Sequence, residues 1–335
     1  MTENGDATVR VVPVRHVGQW IAAAFALLFI AMLIHTLFSK LPTGQYSCHL
    51  VSGVRKCHQI TEWRFSWDIV GHYFFTSEIL HGLLITLELT VLAMFIGVVL
   101  GVLVAVMRLS TNRLLSATAW VYTWFFRGTP VLVQLFVWLY FSILYPVISF
   151  GIPFTHVTFF QFSTVNVLSP FLAATVGLGL NEAAYMSEIA RAGLISVDEG
   201  QTEAATSLGM TRRQTLRLVV LPQAMRVIIP PTGNEVISML KTTSLASSIG
   251  VIELLGAASN IFAHTFEIMP LLIVASLWYI LVTTVLSIGQ FYLERYFAKG
   301  ALRSPPPTPM QRLRRDVEGI LSKVRTPRPA PEVLS

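Results

Sequence analysis

Charge is what this chain has least of. Asp, Glu, Lys and Arg make up 13% of its 335 residues, against about a quarter in soluble domains. A soluble protein of this length is excluded on that ground. Also missing is any Gly-x-x-x-x-Gly-Lys-Ser/Thr loop, so the chain has no such cradle for nucleotide phosphates. No Ser/His/Asp or Cys/His set presents itself for covalent catalysis, and residues 146–167 contain no Lys or Arg.

What is abundant is apolar surface. Hydrophobic residues reach 53% and mean hydropathy is +0.63, with several runs long enough for a hydrocarbon core that needs roughly 20 helical residues. The chain is predicted to be an all-α polytopic membrane protein. Its net charge of +6 invites a nucleic-acid reading, but the basic residues cluster between apolar runs, as the positive-inside rule expects of cytoplasmic segments.

Taken in order, residues 1–17 form a polar cytoplasmic tail, with Arg10 and Arg15 holding the N-terminus inside. The run at 18–38 reads as a retained transmembrane helix, with a cleaved signal peptide as its rival. Residues 39–77 form an external loop carrying both cysteines, Cys48 and Cys57. On an oxidising side two nearby thiols form a disulfide, and the stretch between them can turn back as a hairpin. His49 and His58 leave a metal site as the alternative. Further spans are expected at about 79–107, 130–145, 168–189, 229–256 and 266–292, and residues 299–335 read as a disordered, basic, Pro-rich cytoplasmic tail. Glu88 lies within the second span, either as a functional carboxylate or as an interfacial residue or helix cap.

The polar interruption between the fourth and fifth spans organises the rest. Ser196 with Glu199, and Thr211 with Gln214, fit capping boxes, and Gly209 stands where a helix exit needs positive φ. Helices from about 197 to 208 and from about 212 follow, with Pro222 closing or kinking the second. Taken alone, "EAATSLGMTRRQTLRL" also suits a DNA-binding helix-turn-helix, but spans close on both sides argue against it.

From Glu203 the chain reads Glu-Ala-Ala, three residues, Gly209, nine residues, Val219, one residue, then Leu221 and Pro222. This resembles the EAA loop of transmembrane subunits of bacterial ATP-binding-cassette (ABC) importers. "FRGTPVLVQLF", "NEAAYMSEIARAG", "GQTEAA", "LPQAMRVIIPPTGN" and "LKTTSLAS" resemble the polar amino-acid permeases of that class over about residues 78–298. The resemblance implies a type I ABC importer transmembrane domain with five core helices, here extended by one N-terminal helix. It implies no cofactor in this chain, with ATP and Mg bound by partner ATPase subunits. The other implied partners are a second permease subunit and an external amino-acid-binding protein, within membrane lipid and without nucleic acid.

The resemblance also assigns the coupling loop, about 196–222, and within it Gly200, Gln201, Glu203, Ala204, Ala205 and Gly209 as the turn that docks into the ATPase. A zwitterionic substrate needs buried polar groups along its path. Asn181, Glu182, Tyr185 and Glu188 supply one set, with 181, 185 and 188 on one helix face. Asn234, Glu235, Ser238, Lys241 and Thr242 supply a second, while interhelical hydrogen bonding is the alternative role for any of them. Arg127 and Gln134 are expected at the gate or in helix packing. An ion-gradient-driven transporter or channel would account for the buried charges but not for the EAA loop.

Overall fold

The structure, a computed structural model, describes residues 17–51, 54–63, 65–151 and 158–297, with positions 315 and 318 beyond. Apart from those two positions and Val17, the two polar tails, with Arg10 and Arg15, lie outside the described residues. The chain divides at Phe74/Phe75 into two units.

In the first unit, α1 (Val17–Phe38) is apolar all round and none of its spanning window is buried, as suits a helix whose solvent is lipid. It leads into an antiparallel hairpin of β1 (Lys40–Val51) and β2 (Val54–Trp63). The segment expected to be an external loop is thus a hairpin over most of its length. Its Cα register sets Cys48 opposite Cys57. No disulfide is found among the described residues, and both cysteine side chains lie outside them. The short α2 (Trp67–Phe74) closes the unit, where Trp67 stacks on Phe38 at 5.2 Å and donates its indole N–H to the Leu37 carbonyl at 3.2 Å.

The second unit begins with α3 (Ser77–Arg108), 32 residues long. Next come α4 (Arg113–Gly128) and α5 (Val131–Leu144), bent by 106° where Thr129 and Pro130 take extended backbone. Proline cannot continue the first helix but starts the second well. The predicted third span, 130–145, is therefore only half of a bent pair whose other half is the aromatic α4. Residues 146–167, the segment without Lys or Arg, hold an antiparallel hairpin of β3 (Val147–Gly151) and β4 (Thr158–Ser163), then α6 (Thr164–Val167).

Helix α7 (Pro170–Ile195) starts on a Ser169 cap, whose hydroxyl accepts from the Leu172 N–H. It runs parallel to α3, with Gly97 against Glu182 and Gly101 against Met186. Three described helices are long and apolar enough to cross a membrane, or five spans if each of two bent pairs counts as one, and α7 is not among them. Its burial explains this: fourteen of its residues, Ala173 to Gly193, are enclosed, so it needs no lipid-compatible exterior. The core gathers around it from Leu89, Ala93 and Met94 of α3, Leu135 of α5 and Ala174 and Leu178 of α7 itself.

A Cβ on Gly101 would stand 2.6 Å from the Met186 Cβ and 3.0 Å from the Ala183 carbonyl oxygen. Gly101→Val is therefore expected to cost about 1–3 kcal/mol by overpacking. Thermal unfolding in detergent checks this, and an unchanged midpoint would contradict so close a contact of α3 and α7.

After α7 come α8 (Glu199–Ser207), α9 (Arg212–Thr215), a π-helical turn (Leu216–Val220) and α10 (Leu221–Thr242). Pro222 neither ends nor breaks the helix. It sits in the first turn of α10, and its missing N–H coincides with the π turn just before it. Helix α10 continues through Pro230 and Pro231 and tightens into a 3₁₀ segment (Thr243–Ile249). It stops at Gly250 with φ 88°, a conformation that suits glycine. The fifth span, expected unbroken to 256, is thus interrupted before α11 (Leu254–Thr265), and α12 (Ile268–Phe297) then runs antiparallel to α10, with Gln290 against Gly233.

Candidate functional site

The segment between α7 and α10 is built around two caps. Thr211 and Gln214 form a reciprocal capping box. The other expected box is not formed: α7 reaches Ile195, so Ser196 is its C-cap and donates its hydroxyl to the Gly193 carbonyl. Asp198 caps α8 instead, accepting from the Gly200 N–H at 2.7 Å. At the far end Gly209 has φ 77°, its N–H bonds Thr206 O and the Met210 N–H bonds Ala205 O. That pair is a Schellman motif, which reverses the chain within two residues.

Among the described residues, helix α8 packs mainly on α9 and the π turn that follow it. Ala205 is its buried foot, 4% exposed, while Gly200, Gln201, Glu203, Ala204 and Gly209 are exposed. Leu208 is 83% exposed, a large apolar side chain next to a carboxylate and a small residue on a helix with a free outer face. Such a surface suits a protein partner.

The residues expected on the α7 face have three separate engagements. Asn181 donates to Phe126 O at 3.0 Å and to Gln134 Oε1 at 3.1 Å. Gln134 in turn donates to Phe126 O and to both oxygens of Thr129. This buried amide pair ties α7 to the α4–α5 bend. Tyr185 lies under Arg127, whose guanidinium is 5.3 Å from the ring centroid. Glu188 binds Arg191 at 2.7 Å through one oxygen and Arg108 at 3.5 Å through the other.

Glu182 is different. It is 3% exposed, its flank fills the space left by Gly97, and its Oε1 has no hydrogen-bond partner. Glu235 of α10 is near enough to feel the charges of both Glu182 and Arg127. Four groups from α4, α7 and α10 thus form one mixed-charge cluster: Arg127, Tyr185, Glu182 and Glu235. A buried carboxylate lacking a partner is costly and has the chemistry to receive a cation.

On α10, Asn234, Ser238 and Lys241 are exposed and Thr242 is partly so. Asn234 accepts from Gln290 of α12 at 3.0 Å, and Gln290 also reaches Pro230 O and Glu294. Thr242 donates to Ser238 O. A polar face on a membrane-embedded helix requires a protein or aqueous neighbour. Glu88 is exposed on α3, beside an apolar groove formed with Leu84, Leu87, Val91, Leu92 and Phe171.

Sequence reasoning missed Glu253, which is fully buried. It caps α11 by accepting from the Leu255 and Gly256 N–H groups, and also accepts from Tyr279 OH at 3.0 Å and Thr86 Oγ1 at 3.4 Å. Three elements, α3, α11 and α12, meet on one carboxylate. The available signal was an acidic residue three positions after Gly250 and just before an apolar run. Glu253→Ala strands these donors at about 1–3 kcal/mol each, and a sharp fall in folded yield is expected, with Tyr279→Phe milder. Size-exclusion profiles of the two variants check the order.

Residues 97–299 match the family described as "binding-protein-dependent transport system inner membrane component". The arginine transport system permease protein ArgU of Corynebacterium glutamicum is 44% identical over 294 residues, 87% of this chain and 84% of that one. The L-cystine transport system permease protein TcyB of Bacillus subtilis is 39% identical, covering 68% and 90%. Among solved structures, an amino acid ABC transporter crystallised with histidines is similar at TM-score 0.59 and 34% identity, over 69% of this chain and all of that one. The MetNI methionine ABC transporter, at 18% identity and TM-score 0.53, shares the fold.

Proposed function

This chain belongs to the inner membrane components of binding-protein-dependent transport systems, and from that membership we propose how it moves an amino acid. It is the multi-pass permease of an ATP-driven importer, and the family decides against an ion-gradient device. On the proposed reading two cytoplasmic ATPase subunits hold α8 in a cleft, with Glu203 paired to a basic residue and Ala204 allowing close approach. Both chain termini lie on that cytoplasmic side. Closure of the ATPases on ATP and Mg moves α8 and with it α7 and α10. The path rocks from inward-open to outward-open, substrate enters from an external binding protein, and hydrolysis resets it. This chain contributes no catalytic group and no cofactor.

The observation that carries the reading is the exposed outer face of α8, held out by Asp198 and Gly209. A second permease subunit, identical or not, covers the polar face of α10, which lipid would not tolerate. Arg127 suits a substrate carboxylate, and Glu182 with Glu235 suits an ammonium or guanidinium. With an arginine permease 44% identical, a cationic amino acid is the favoured substrate. Competition settles the class: labelled arginine uptake by the reconstituted complex should be displaced by lysine or ornithine and not by glutamine, and the reverse order would reject it. Cys48 and Cys57 are proposed to be bridged on the oxidising side. Intact mass before and after reduction with alkylation tests this, and free thiols in the unreduced protein would refute it.

A further inference from the structure

Where α3 gives way to α4 there is a cavity of about 410 Å³, lined by Arg108, Ser110, Thr111, Arg113, Ser116 and Trp120. Arg108 is the last residue of α3 and Arg113 the first of α4. Arg113, Ser116 and Trp120 fall on one face of α4 by their spacing of three and four. Asn112 caps that helix by accepting from the Leu114 N–H, and the positive end of the helix dipole points the same way.

The charges around the cavity do not balance. Arg108 reaches only the far oxygen of Glu188, at 3.5 Å, because Arg191 holds the near one at 2.7 and 3.0 Å. Two arginines, 108 and 191, therefore share one carboxylate, Arg113 pairs with no carboxylate among the described residues, and the Arg108 Nε is buried with no hydrogen-bond partner. An anion with several acceptor oxygens is the complementary ligand.

The surroundings of the cavity are apolar. Leu109 follows Arg108 in the chain and Leu114 follows Arg113, with Leu114 75% exposed, and Trp120 lines the cavity itself. Trp120 is stacked on Trp124 at 6.2 Å, and both rings are exposed. Exposed leucines and tryptophans beside paired arginines are the chemistry of a membrane interface.

We propose that this cavity holds the phosphate of an anionic phospholipid between Arg108 and Arg113, with its acyl chains along the exposed Trp120 and Trp124 rings. The proposal rests on the importer reading for its location, since it needs the loop side of α3 to face the anionic inner leaflet. A soluble phosphate shares the headgroup chemistry but leaves the two exposed indole rings without a purpose. Occupancy adds a second anion beside Arg108 and braces the Arg108–Glu188 contact between the ends of α3 and α7, next to the segment that carries α8.

The test uses the assembled permease–ATPase complex, extracted from vesicles of phosphatidylcholine with a minor share of phosphatidylglycerol and passed through gel filtration. The wild type should retain phosphatidylglycerol well above its share in the vesicles. Arg113→Gln, a change at an exposed position, should lower that retention about fivefold, and Arg113→Lys should restore most of it. Inorganic phosphate in excess should leave the lipid in place. Equal retention by Arg113→Gln, or displacement by inorganic phosphate alone, would overturn the proposal. Stimulated ATP turnover in the same preparation reports on the importer reading separately, and its absence beside intact lipid retention would reject that reading while leaving the lipid site standing.

Discussion

Charge reversal at Glu203 is expected to leave the chain inserted in the membrane and to cut it off from its ATPase. Glu203 stands on the exposed face of α8, away from the foot at Ala205, so Glu203→Lys removes no contact that holds the fold. At the proposed interface it replaces an attraction with a like-charge clash, which costs several kcal/mol. As about 1.4 kcal/mol is tenfold in affinity, retention of the ATPase on the permease should fall by about 100-fold. Co-purification from membranes checks this, with total permease quantified beside it. Normal ATPase yield together with stimulated turnover would remove α8 from the coupling role.

The second large effect is expected at Glu182. Glutamine has nearly the same shape, so Glu182→Gln keeps the fit against Gly97 and removes only the charge. If the unpartnered Oε1 receives the substrate's cation, loss of that pairing costs about 2–5 kcal/mol. Arginine uptake should fall at least about tenfold while the ATPase stays bound. Unchanged uptake would leave Glu182 with a packing role alone.

The sequence made some of this legible for specific physical reasons. The stretch from Ser196 to Pro222 stood out because polar and basic residues between apolar runs are costly unless they lie outside the membrane. Gly209 was readable because only a helix exit needs its φ. The spacing of Asn181, Tyr185 and Glu188 was also readable, but sharing a face did not mean sharing a role: one serves the α4–α5 bend, one sits under Arg127 and one joins two arginines. Which polar residue stays unpaired depends on Gly97 of α3, 85 positions before Glu182, and local pattern carries no such information. Glu253 was lost in an apolar run that read as one continuous span, because the break at Gly250 depends on a single left-handed residue. The hairpin at 147–163 was lost for a related reason, since a short segment without charge reads as loop as readily as strand.

The two arginine clusters also separate by position. Arg127 lies over Tyr185 and interacts with the charge of Glu235, among the residues proposed to line the path. Arg108 and Arg191 fasten the ends of α3 and α7 through Glu188. A count of basic residues merges the two, although one is proposed to meet a substrate and the other fastens helices.

The central claim is that ATP hydrolysed by partner chains drives an amino acid through this permease. Uptake of labelled arginine into proteoliposomes holding the complex and its external binding protein tests it most directly, with ATP inside or absent and an imposed ion gradient as the alternative drive. Accumulation is expected only with ATP and binding protein together, and it is lost in Glu203→Lys. Accumulation driven by the ion gradient without ATP would contradict it.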